Sequence, residues 1–94
     1  MEREMKRDYA RLFQDVRAIL NRYDLMSLID LGAPDDEYES EVGSILPRLR
    51  HAGNARDVAE IVQDVFMKQF GQRQDETEVA AAAEEIWATY KAPR

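Results

Sequence analysis

No cysteine occurs in the 94 residues, and that absence removes disulfides, thiolate nucleophiles, iron–sulfur ligation and cysteine-type zinc sites together. Histidine occurs once, so imidazole chemistry has a single candidate, His51. Proline and glycine are scarce, at three and four residues, which leaves few punctuation points between regular segments. Long apolar runs are missing as well. The opening Met-Glu-Arg-Glu-Met-Lys-Arg-Asp is charged and leads into neither a signal peptide nor a membrane span, so a soluble cytoplasmic protein is the expectation. Glycine-rich phosphate loops, serine elbows and His-Glu metal helices are absent too. No catalytic residue, cofactor or metal ligand is therefore assigned, and the chain reads as a non-enzyme.

What is present favours helices. Thirteen residues are Val, Ile or Thr, whereas Ala alone supplies twelve, and β-branched residues are the ones that strands prefer. With 45% apolar and 9% aromatic residues the chain has enough to bury, and its length suits one core, so residues 1–94 are expected to form a single domain. Without disulfides or cysteine-bound metal to staple it, such a domain depends on well-packed helices or on oligomerisation.

The periodicity divides the chain into four helical segments. Met5, Tyr9, Leu12, Phe13, Val16, Ile19, Leu20 and Tyr23 recur at steps of three and four, predicting a long amphipathic helix from about Glu2 to Tyr23. Its other face carries Arg7, Arg11, Asp15 and Arg22, with Arg11 and Asp15 spaced to form an i,i+4 pair. From Asp24 the period breaks, predicting a connector that drops Leu25, Leu28 and Ile29 into the core and ends at Gly32 and Pro34. Asp35, Asp36 and Glu37 then cap a second helix with the stripe Tyr38, Val42, Ile45, Leu46 and Leu49, ending near Gly53. Pro47 lies inside that stripe, where it has no N–H to give and its ring presses on the carbonyl of Gly43. A kinked second helix is expected, with Gly43 relaxing to accommodate the ring.

Asn54 and Asp57 resemble a cap for a third helix, carrying Val58, Ile61, Val62, Val65, Phe66 and Phe70 and stopped by Gly71. Asp75 and Glu78 do the same for a fourth, whose stripe is Val79, Ala82, Ala83, Ile86, Trp87 and Tyr90. Trp87 is expected to be buried against the first or third helix. The fold class that follows is all-α, a compact four-helix domain with a kinked second helix.

The net charge of −6 is unevenly spread. Met1 to Tyr23 carries six basic and four acidic residues, whereas Asp24 to Leu46 carries seven acidic and none that is basic. Phosphate backbones need a basic face, so nucleic-acid binding is not expected, while a basic protein surface suits this field.

The stretch from Asp24 through Leu49, with Leu28-Ile29-Asp30-Leu31-Gly32-Ala33-Pro34-Asp35-Asp36-Glu37-Tyr38 and then Glu41-Val42 and Ile45-Leu46, resembles small bacterial helical proteins of the YugE-like kind, a domain of unknown function. That pattern opens with Trp-Asp-Pro, an apolar residue and Gly, then runs through Ala-Pro, an acidic pair and Tyr. Here Tyr23-Asp24-Leu25 departs from the first half, whereas Ala33 to Tyr38 matches the second. The resemblance implies a helical fold and supplies no catalytic residues. It also implies an association with secreted toxins as an immunity-type protein.

The acidic set Asp35, Asp36, Glu37, Glu39 and Glu41 is the candidate partner-binding site. Helix-start capping and solubility account for much of such a set. No register in it offers the alternating ligands, sixth-position Gly and twelfth-position Glu of a calcium loop. His51 falls in the last turn of the second helix beside Arg48 and Arg50, where cationic groups favour the helix end. The aromatic residues fall on apolar stripes and read as core. The leading functional expectation is an interaction module whose acidic quarter meets a basic protein, with a toxin domain as the partner that the resemblance implies. A structural homodimer without a separate ligand is the first alternative, and a small metal-dependent or ligand-binding protein the second.

Overall fold

The computed structural model describes residues 2–26, 31–32 and 37–92, with side chains described from Tyr9 onward in the first helix. Among these residues there are four α-helices and no strand: α1 at Glu2–Tyr23, α2 at Glu39–Ile45, α3 at Ala55–Phe70 and α4 at Glu76–Lys91. A 3₁₀ helix, Leu46–His51, continues directly from α2. The principal packing neighbours are α1 with α2, α2 with α3, α3 with α4 and α4 with α1, so the helices close around one core.

That core follows the apolar stripes. Val16, Ile19 and Leu20 of α1 meet Val42 and Ile45 of α2, Val58, Ile61, Val62, Val65 and Phe66 of α3, and Val79, Ala82, Ala83 and Ile86 of α4. Tyr38, Leu46 and Leu49 complete it, while Leu12, Phe13, Leu25 and Phe70 pack against its edge. Small Ala82 and Ala83 occupy fully buried positions on α4, which is why an alanine-rich tract can supply a core face.

Each helix end has a local cause. α1 ends where Asp24 takes a left-handed conformation, φ 48°, and its N–H donates to the Leu20 carbonyl at 2.8 Å. Aspartate tolerates that conformation better than most residues. At the start of α3 the Asn54 side chain accepts from the Asp57 N–H at 2.8 Å, while the Asp57 carboxylate accepts from the Gly53 N–H at 2.8 Å. This reciprocal arrangement satisfies the Asp57 N–H, which the first turn leaves open, and the Gly53 N–H just before the cap. α3 ends at Gly71, φ 76°, which costs a glycine little and gives its N–H to Met67. Asp75 caps α4 by accepting from the Glu78 N–H.

The second helix differs from expectation in two ways. It starts at Glu39 behind Tyr38, which makes no side-chain cap, while Asp35 and Asp36, expected to supply one, lie outside the described residues. The α-helical pattern also stops at Ile45, and the chain tightens into the 3₁₀ helix with Pro47 at its start. Pro47 cannot donate to the Gly43 carbonyl, so the i→i−4 pattern is interrupted there and a change of helix type absorbs the fault. Leu28 and Ile29, expected in the core, also lie outside the described residues.

Two contacts fix how α1 lies on α4. Tyr23 and Arg22, at the end of α1, both reach Glu85, and Met26 just beyond meets Gln74 just before α4. Among the described side chains of α1, Arg17 pairs with Glu39 and Arg22 with Glu85, while the expected Arg11–Asp15 pair does not form. None of the described helices is long and apolar enough to cross a membrane.

Candidate functional site

The acidic residues singled out by the sequence end up in different environments. Glu37 is exposed on the turn before α2 and forms no ion pair among the described residues. Glu39 is half-buried, and its carboxylate is held by the Arg17 guanidinium at 2.9 Å across the α1–α2 contact. Glu41 is 2% exposed, and its Oε1 has no hydrogen-bond partner among the described residues. Burial pushes the Glu41 carboxyl above its ordinary value, its own backbone N–H pulls it down, and the Glu37 charge adds to the rise.

Glu41 is thus a buried residue, a correction to its expected place on a partner-facing surface. The cause is register: Glu41 falls three positions after Tyr38 and four before Ile45, both buried, and so shares their inward side. Both Glu39 and Glu41 also stand in the first turn of α2, because the helix begins later than its acidic prelude suggested. Their charge there complements the helix dipole.

Immediately beside this set is a polar latch. The Tyr38 ring is fully buried, and its hydroxyl donates to Asp24 Oδ1 at 2.6 Å while accepting from the Met26 N–H at 3.1 Å. Tyr38 thereby ties the start of α2 to the end of α1, and its ring packs against Phe66 at 6.0 Å between centroids. Asp24 both terminates α1 through its backbone and receives the latch through its side chain. The two ends of the connector are therefore joined by a part-buried hydrogen bond.

His51 is exposed at the end of the 3₁₀ helix. It borders a shallow depression with Arg48, Asp57, Glu60, Ile61 and Asp64. Two of the three carboxylates there have other engagements: Asp57 accepts from Gly53, and Asp64 is held by Arg48 at 2.6 Å and Lys68 at 3.1 Å, which lowers its carboxyl below the ordinary range. No hydrogen bond to His51 orients the imidazole among the described residues, and general-base work needs that orientation. Among the described residues no group of three acidic or histidine side chains is placed to hold a metal ion.

Next to this depression, sharing Glu60 and Asp64 with it, a groove of about 580 Å³ runs between α3 and α4, with Ala59, Met67, Val79 and Ala80 among its lining and Arg56, Arg73 and Glu76 around them. Sequence reasoning missed the clamp at its base. Gln63 Nε2 donates to the Gln74 carbonyl at 2.8 Å, and the Gln74 N–H donates back to Gln63 Oε1 at 2.9 Å. Both glutamines are buried. The signal was a single glutamine inside the apolar stripe of α3, between Val62 and Val65, where an unpaired amide would be costly.

Comparison with known protein families, curated proteins and solved structures found no match. The site is therefore read from its own chemistry.

Aromatic residues divide between core and surface. Tyr9 is 51% exposed, with its ring 6.3 Å from Phe13, so it is not a core residue. Trp87 is half-buried instead of buried, with its ring 6.1 Å from Tyr90 and the Lys91 ammonium 5.5 Å from its centre. The reason is angular: Ala83 and Ile86 centre the α4 stripe, and Trp87 stands at its edge. Leu31, beside Gly32 in the connector, is 79% exposed.

Proposed function

We propose that this protein is a non-enzymatic, cytoplasmic interaction module whose acidic connector and α2 start meet a basic protein partner. The observation that carries the reading is the concentration of one sign of charge in a short stretch of the sequence. Seven acidic residues and no basic one lie between Asp24 and Leu46, and Glu37 of this run is exposed while Glu39 is paired with Arg17. A local field of one sign raises the encounter rate with a partner of the opposite sign and disfavours acidic competitors. Exposed Glu37 and the outer part of Glu39 form the described portion of the face; Asp35 and Asp36 belong to the same proposal by sequence. Exposed Leu31, in the same connector, offers an apolar contact inside an acidic rim. The resemblance to YugE-like proteins, with its immunity-type association, supports a toxin domain as the kind of basic partner.

The test is capture from the native cell with the purified protein as bait, followed by binding kinetics with the protein recovered. A basic partner whose association rate falls with salt, and falls again for Glu37→Lys without loss of helicity, is expected. Recovery of partners indifferent to both salt and Glu37→Lys would overturn the reading. Self-capture, with a mass near twice 10.9 kDa in solution, would favour the homodimer instead.

A further inference from the structure

We draw no further inference here: the strongest candidate, the groove between α3 and α4 lined by Ala59, Met67, Val79 and Ala80, is bordered by charges of both signs, and nothing in the structure shows what covers it.

Discussion

Replacing Glu41 with methionine removes a buried carboxylate while keeping a side chain of similar length on an inward-facing position of α2. A buried acceptor left without a partner costs about 1–3 kcal/mol, and more when it is ionised. Two favourable contributions would be lost with it: the first-turn dipole interaction, about 0.3–1 kcal/mol, and the bond from its own N–H. The net expectation is a gain of about 1–2 kcal/mol at neutral pH, which in a domain of this size raises Tm by roughly 5–15 °C. Urea unfolding followed by circular dichroism measures it as a higher midpoint at unchanged slope.

The pH dependence separates charge from packing. The folded-state pKa of Glu41 is raised above its ordinary value of 4.5, so the folded state binds the proton more tightly than the unfolded one. Stability relative to a neutral residue is then fully present below 4.5 and is lost as pH rises through the folded pKa. The advantage of Glu41→Met should therefore shrink as pH falls toward about 4, and Glu41→Gln should share much of the pH dependence. A loss of more than about 1 kcal/mol at neutral pH in Glu41→Met would refute the reasoning, because it would show the carboxylate favourably engaged. A gain independent of pH would assign the effect to apolar packing.

Other perturbations test separate links. Tyr38→Phe keeps the buried ring but removes the hydroxyl that donates to Asp24 and accepts from the Met26 N–H, and a destabilisation of about 1–3 kcal/mol in urea unfolding is expected. Gln63→Leu removes both partners of the buried Gln74 backbone groups and should cost about 2–4 kcal/mol, with the loss of hydrogen-exchange protection greatest around the α3–α4 turn. Trp87→Ala should cost about 1–3 kcal/mol in thermal unfolding, less than a fully buried tryptophan, and native Trp87 emission should lie between the buried and hydrated limits. Hydrogen bonding to Glu85 raises the Tyr23 pKa above 10.0, so the stability from that bond is complete below 10.0 and is lost at higher pH; spectrophotometric titration should show one late tyrosine that moves earlier in Glu85→Gln.

The four-helix architecture was readable in the sequence because it rests on local rules. Apolar steps of three and four marked the inward faces, and Asn54, Gly71 and Asp75 marked boundaries through bonds that span only a few residues. The charge imbalance of the second quarter is likewise a property of sequence alone. Pro47 announced a fault in the second helix, but whether the backbone bends or changes helix type depends on what packs against it, and that took the form of a 3₁₀ segment placing Leu46 and Leu49 in the core.

Only the tertiary structure separated acidic residues that look equivalent in sequence. Glu37, Glu39 and Glu41 have the same charge at alternate positions, yet one is exposed, one is paired with Arg17 from twenty-two residues away, and one is buried. The bonds of Tyr38 to Asp24, Gln63 to Gln74 and Tyr23 to Glu85 were hidden for the same reason. Periodicity determines which side of a helix turns inward; where that side lands, and what meets it there, is set by how the other helices dock.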